Sequence, residues 1–217
     1  MILEGYGIKL QRLKAEDLEL IRVKRNSEQV RPFMRYRDEI TPEMQRQWFA
    51  SIDNEFNNYF VIVSEGQKVG LISGAEIDWN AMETRNGGLF IWESSLWGTP
   101  VPFCAALLLT ELSFYIGFQR TFVRVLPDNK RAQDFNANVG YARSLYQPGG
   151  ELEQYELDEE HFLAATEKAR NMLKKRYPEK LVCTIDDPQH PASRQVIAAY
   201  GKLSEAQRER FVFIVKT

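Results

Sequence analysis

The chain is poor in the residues that build metal centres and covalent scaffolds. Of its 217 residues two are cysteine and two are histidine. Cys104 and Cys183 lie far apart with no CxxC spacing, and His161 and His190 each stand alone. A disulfide framework and a structural zinc site are therefore not expected, and no metal is. An excess of one charge is also missing: 28 Lys and Arg stand against 30 Asp and Glu, a net charge of −2. No global basic field draws in a nucleic-acid partner. The longest apolar run, residues 103–109, is far short of the roughly 20 residues a membrane span needs. The first residues show no charged start followed by an apolar stretch, so no signal peptide and no membrane partner are expected, and the cytoplasm is the expected location. Internal repeats and low-complexity segments are absent as well.

What is present reads as a folded domain with additions: 44% hydrophobic and 27% charged residues, near globular averages. Residues 8–13 (IKLQRL) alternate apolar and polar as a half-buried strand does. Residues 15–28 predict a helix with Leu18, Leu20 and Ile21 near one face, and residues 30–39 a loop. Thr41-Pro42-Glu43 is a helix start, with Met44, Trp48 and Ile52 following as a stripe for burial. Residues 59–64 and 69–77 predict a hairpin, 78–86 a polar turn and 88–94 a third strand. Residues 101–116 predict a buried helix, 120–126 a strand, and 128–139 an amphipathic helix closed by Gly140. Two more strands, 142–146 and 151–157, flank Pro148-Gly149-Gly150. Residues 159–176 predict a helix with Phe162, Ala165, Ala169 and Met172 on its packed face, ended by Pro178. Beyond it, residues 181–185 suit a strand, 192–200 a helix, and 211–215 (FVFIV) a strand or a helix end. That last apolar stretch needs cover, either from the sheet or from a second subunit in a homodimer.

This order predicts a mixed sheet with helices on both faces, its strands 88–94 and 120–126 parallel and splayed at their C-terminal ends. A strand that feeds a helix N-terminus through a short loop leaves amides and a positive dipole end pointing outward, which suits an anion. Glu93 ends the strand just before that loop. A carboxylate there is either a general base for an amine or a solvated strand-end acid. Asn129 either bonds a cofactor or starts a helix. Arg31, Arg35 and Arg37 are either a solvated basic loop or a grip on a phosphate or carboxylate. Trp48 is either core or a stacking platform. Trp92, Trp97 and Phe103 cluster around the loop.

Three pieces in order, GLFIWESSLWGTPVPFCAALLLTELSFYIGF, RTFVRVLPDN and AQDFNANVGYARS, resemble the GNAT acyltransferases over most of residues 8–157. RNSEQVRPFM followed by ITPEMQRQWF is similar to the ribosomal-protein acetyltransferase-like branch, and in flavour to members acting on nucleotide-linked amino sugars. The latter often carry a His where this chain has Gln45. The resemblance implies an α/β (α+β) fold with a mostly antiparallel central sheet flanked by helices. Residues 1–158 would form the acyltransferase domain, and residues 159–217 a mostly helical extension. It implies acetyl-CoA as co-substrate, no metal, and direct attack by a primary amine of a small molecule, an amino sugar or a protein N-terminus. Glu93 and Asn129 would be the catalytic residues. Asn129, Ser94, Ser95, Leu96, Gly98, Thr99, Val101 and Phe103 would hold the cofactor, and Arg31, Arg35 and Trp48 the acceptor.

Two departures from the family pattern matter. The pyrophosphate loop falls on Trp97-Gly98-Thr99-Pro100-Val101-Pro102, where Pro100 and Pro102 lack an N–H. The amides of Gly98, Thr99, Val101, Phe103 and Cys104 remain as candidate donors, each worth roughly 1.5–3 kcal/mol toward a charged acceptor. The family's acidic Tyr is replaced by Asn136, which cannot protonate a leaving thiolate. These departures favour a second reading, a fold kept as a binding or assembly module with little transfer activity.

Overall fold

The structure is a computed structural model that describes residues 1–147 and 149–216. Of the expected Pro148-Gly149-Gly150 turn, Pro148 lies outside the described residues. The chain opens with a hairpin, β1 (Ile2–Gly5) and β2 (Ile8–Arg12), and a helix, α1 (Leu18–Asn26). In α2 (Pro42–Ile52) the Thr41 hydroxyl accepts the Met44 N–H at 3.2 Å, the cap that the sequence predicts. A meander of β3 (Asn58–Ser64), β4 (Gln67–Asp78) and β5 (Glu83–Ile91) comes after it. Next are α3 (Val101–Tyr115), β6 (Arg120–Val125), α4 (Lys130–Val139), β7 (Ala142–Arg143) and β8 (Glu153–Asp158). The C-terminal part is α5 (Glu159–Arg176), β9 (Val182–Ile185), α6 (Pro191–Gly201), α7 (Glu205–Arg208) and β10 (Val212–Val215).

Among the described residues all ten strands join one sheet in the order β10-β9-β1-β2-β3-β4-β5-β6-β8-β7. Its pairings are antiparallel except β9 with β10 and β5 with β6. The sheet is buried on both faces. On one, α3 lies across β1, β2 and β5, and its Leu107 and Leu108 are fully buried beside Leu10, Ile62 and Ile185. On the other, α1 and α2 cover Val61, Leu71 and Trp92. Helix α3 is apolar all round because α4 also packs on it. Its one buried acid, Glu111, accepts from the hydroxyls of Tyr6 and Tyr115 and lies 3.7 Å from Arg170 of α5. A buried carboxylate needs such partners, since leaving one unpaired costs several kcal/mol.

The structure differs from the sequence reading in places. β4 runs on to Asp78 and β5 starts at Glu83, so the polar stretch 78–86 is mostly strand. Its polar side chains pair across the ladder, Arg85 with Asp78 and Asn86 with Glu76. On α2, Trp48 and Ile52 of the expected stripe pack against the core with Phe49, whereas Met44 is exposed and Gln45 takes its place as the buried residue of the first turn. On α5 the covered residues are Phe162 and Thr166, whereas Met172 is 65% exposed. Gly140 ends α4 with φ of 107°, and a Cβ there would lie 2.9 Å from the His161 carbonyl oxygen. Glycine at this position lets α5 close on the end of α4.

Of the segment FVFIV, residues Val212–Val215 form the edge strand β10, which pairs with β9, and β9 with β1. Phe211 and Phe213 pack inward while Val212, Ile214 and Val215 stay exposed, so the sheet covers the segment only in part. Phe211 is 3% exposed, its ring 5.7 Å from Tyr200 and 6.0 Å from Tyr115 of α3. The C-terminal strands therefore extend the same sheet and share its core. We expect Phe211→Ala to lower unfolding free energy by about 3–5 kcal/mol in a single transition, followed by urea denaturation with fluorescence and far-UV dichroism. Two separated transitions would show that residues 159–217 fold as an independent unit.

Candidate functional site

The site begins with one misfit residue in β5. Glu83 pairs with Arg120 and Thr84 with Thr121, but Gly87 pairs with Val123, so β5 carries one residue more than β6 between these points. Such a bulge bends its strand and re-aims the residues beyond it. Gly87 sits at the pivot, where a Cβ would lie 3.0 Å from Val123 Cγ1 and 3.3 Å from the Phe122 carbonyl oxygen. No β5–β6 pairing continues beyond Gly87 and Val123. A cavity of about 860 Å³ opens there, within the range of small-molecule sites. Its walls are β4 and β5, β6, α3, α4 and residues 29–35 of the α1–α2 connection.

Strand parity says which backbone groups face the cavity. The Trp92 N–H donates to the Val69 carbonyl of β4 at 3.0 Å. In an antiparallel ladder hydrogen-bonded pairs alternate, so Phe90 and Gly88 also bond β4, and Leu89 and Ile91 turn their N–H and C=O toward β6. With β6 diverged, the Leu89 groups have no ladder partner. The Ile91 carbonyl is taken by the indole N–H of Trp97 at 2.9 Å.

Trp97 is the centre of the rim. The guanidinium of Arg131 from α4 lies 4.5 Å from its ring centroid, and Phe33 from the α1–α2 connection meets it edge-on at 6.0 Å. All three line the cavity, so the indole bridges three of its walls. Trp92 and Phe103 do not share this role. Trp92 is 2% exposed and bonds the Lys68 carbonyl, and Phe103 packs against the core.

The loop before α3 is tightly self-bonded. The N–H of Leu96, Trp97 and Thr99 donate to the carbonyls of Glu93, Ser94 and Leu96. The Cys104 N–H donates to the Pro100 carbonyl, and the Val101 N–H reaches the Thr99 hydroxyl at 3.3 Å. Of the five amides expected to be available, only those of Gly98 and Phe103 lack a partner among the described residues. Pro100 is the N-cap residue of α3 with φ of −65°, and Pro102 is buried in its first turn and lines the cavity. Both fit the helix start without strain, so the loop keeps its shape and lacks donors. Ser94, Ser95 and Leu96 form a single 3-10 turn outside the cavity lining, and Gly98, Thr99, Val101 and Phe103 also lie outside it, so of the expected cofactor residues only Asn129 lines the cavity. Burial pushes the Cys104 thiol up to about 11, overriding the helix N-terminus that would lower it.

The remaining expected residues divide. Asn129 lines the cavity, and its Oδ1 accepts the Ala132 N–H at 3.1 Å as the cap of α4, leaving its NH2 for a ligand. Glu93 accepts from Lys24 at 2.8 Å and lies outside the lining. Arg35 lines the cavity, whereas Arg31 and Trp48 do not. Trp48 is half-buried and packs edge-on against Tyr59 at 5.2 Å. Asn136 and Tyr141 line the cavity. The Tyr141 hydroxyl pairs with Thr121, and burial pushes its pKa up to about 12, so it is a poor acid at neutral pH. Sequence reasoning did not single out Arg131, two positions past Asn129, or the Arg124–Glu76 pair. Arg124 lines the cavity and grips Glu76 with two bonds of 3.2 and 3.0 Å. Glu76 adopts a positive φ of 53° that no sequence pattern signals.

A cation over an indole contributes about 0.5–1 kcal/mol at an exposed site. Arg131→Ala is expected to loosen Trp97, raising the fluorescence quenching by iodide that is lost in Trp97→Phe. Unchanged quenching would show that Arg131 does not hold the indole.

Residues 8–142 match the family model of the acetyltransferase (GNAT) domain. Among solved structures, RimJ of Mycobacterium smegmatis in complex with CoA-disulfide is 17% identical, with 78% of this chain and 93% of that chain covered at a TM-score of 0.62. Spermidine N-acetyltransferase from Vibrio cholerae in complex with CoA and spermine is 15% identical, covering 73% of this chain and 99% of its own at 0.61. Apo FdhC, a nucleotide-linked sugar GNAT, is 17% identical, covering 80% and 98% at 0.65. At such identities the likeness is one of fold. No curated protein sequence matches the chain. Among the described residues no helix is long and apolar enough to cross a membrane. The family model spans more than half of the chain, and the chain belongs to the GNAT acetyltransferase family.

Proposed function

We propose that the protein is an acetyl-CoA-dependent N-acetyltransferase acting on a primary amine of a small molecule, an amino sugar or a protein N-terminus. The observation that carries this reading is the divergence of β5 and β6 after Gly87 and Val123, which leaves the Leu89 N–H unpaired beside a cavity of about 860 Å³. The Leu89 N–H is placed to meet the negative charge that develops on a thioester oxygen under attack. The Asn129 NH2 and the free amides of Gly98 and Phe103 at the start of α3 supply the other donors for the cofactor. Two similar structures hold CoA or its disulfide, which agrees with this choice of co-substrate. For Glu93 to take a proton from the amine it must first release Lys24, a half-exposed pair worth at most about 1 kcal/mol.

The second reading, a binding or assembly module, is favoured by the loop. Two prolines and three self-bonded amides leave it few donors, and Asn136 supplies no acid. Calorimetric titration with CoA separates the two. CoA is expected to bind weakly, and Pro100→Gly with Pro102→Ala to tighten binding about tenfold, as one recovered charge-assisted bond would. No heat at millimolar CoA for either chain would leave the module reading. For turnover, Asn136→Tyr is expected to raise kcat in a thiol-release assay by supplying an acid. An unchanged kcat would place thiolate protonation elsewhere, in solvent or on another group.

A further inference from the structure

Resting on the transferase reading, we infer that the acceptor amine carries a phosphate or carboxylate group, held by Arg35, and is not a polyamine. The charges that line the cavity are three arginines, Arg35, Arg124 and Arg131, and one acid, Asp134. Two of these arginines are already engaged. Arg124 is held by Glu76, and Arg131 lies on Trp97 at the α3–α4 end. Arg35 is different. It approaches from the α1–α2 connection, whose Phe33 meets Trp97, and no ion pair or hydrogen bond engages it among the described residues. Arg31 and Arg37, in the same connection, likewise lack a carboxylate partner among the described residues, and the acids of that connection, Glu28, Asp38 and Glu39, lie outside the cavity lining.

Of the carboxylates that would attract a cationic acceptor, Glu76 and Glu93 are committed, while Asp134, the one acid in the cavity lining, has no ion-pair partner among the described residues and shares its helix with the cation of Arg131. Glu76 accepts two bonds from Arg124 and one from Asn86 at 3.0 Å. Glu93 is taken by Lys24. Asp134 is exposed on α4, the helix that also bears Asn129 and Arg131. A chain with several ammonium groups would thus enter a cavity bordered by unneutralised guanidinium, at a cost, whereas phosphate or carboxylate would gain a bidentate, charge-assisted partner. Part of the Arg124 guanidinium supports the same polarity: its Nε is buried and unpartnered, a donor facing no protein acceptor.

The test uses a matched set of acceptors: ethanolamine, O-phosphoethanolamine, β-alanine and spermidine. Thiol release from acetyl-CoA gives kcat/KM for each. The inference expects at least one of O-phosphoethanolamine and β-alanine to exceed ethanolamine by about tenfold or more, with spermidine the poorest, and the preference to shrink in Arg35→Ala and with added salt. Comparison of the two anionic probes tells phosphate from carboxylate. Spermidine or ethanolamine as the best acceptor, or an anionic preference intact in Arg35→Ala, overturns the inference while leaving the transferase reading standing. If nothing is turned over, calorimetry on the CoA-saturated protein decides. Tighter binding of an anionic probe than of ethanolamine, weakened by Arg35→Ala, supports the inference, and equal or weaker binding overturns it. If CoA itself does not bind, the transferase reading falls, and the same titration on the free protein is read in the same way.

Discussion

One extra residue in β5 governs the rest of the molecule's chemistry. Between Thr84 and Gly87 the strand slips out of step with β6, and from Gly87 onward the two no longer pair. A parallel pair buried under helices would normally continue its ladder, because unpaired backbone groups in a core are costly. Here the gap is kept open because β5 is firmly held on its other edge by β4, with pairs running through to Ile91. β6 is held independently by β8 over its whole length. The cleft is therefore a property of well-made antiparallel ladders flanking one interrupted parallel one. That division separates the stability of the fold from the availability of its free donors.

A side chain fills the gap at its outer end. The Trp97 indole satisfies the Ile91 carbonyl, and the cation of Arg131 and the edge of Phe33 fix the ring in turn. A ligand that used the same carbonyl would have to displace this bond, while the Leu89 groups one step deeper remain open. The prolines act in the same direction by a different route. They are compatible with the first turn of α3, so they preserve the loop and its helix dipole, yet each removes a donor that glycine or alanine would supply. Affinity for an anion at this loop then rests on the dipole and two amides, a weak basis compared with a fully donor-lined nest.

Much of the framework was legible because it depends on periodicity and punctuation. The α3 segment is apolar at every face, the Thr41-Pro42 cap is local, and Gly140 marks the end of α4 where only a left-handed residue lets α5 approach. The parallel pairing of β5 and β6 followed from the strand–helix–strand order. The residues that were misread are those whose burial depends on distant partners. Arg170 of α5 turns inward toward Glu111 of α3, and Thr166 is buried with its hydroxyl on the Phe162 carbonyl one turn earlier, so the covered face follows Phe162, Thr166 and Arg170 where helical spacing favoured Ala165 and Met172. β1 carries too short a pattern to stand out, and it is a strand because β2 and β9 both pair with it.

The candidate site was legible in outline and less so in detail, for a related reason. Asn129 and Arg35, singled out in the sequence, line the cavity, whereas Arg31 of the same loop does not. Sequence position could not assign Glu93, because the choice between a free carboxylate and an ion pair was made by Lys24 on α1, far away in sequence. The same holds for the amides of the loop before α3. Counting residues without proline gave five donors, but a loop that folds into successive tight turns consumes its own N–H groups, and three of those five are bonded within the loop or to Thr99. The balance of charge at the cavity is set in the same way. Arg124 reads as an available cation in sequence and is neutralised by Glu76 in space, whereas Arg35 keeps its charge because no carboxylate among the described residues comes within ion-pair reach. The chemistry open to the site is the remainder after the protein's own partners have been satisfied, and on the α1–α2 side that remainder includes the Arg35 guanidinium.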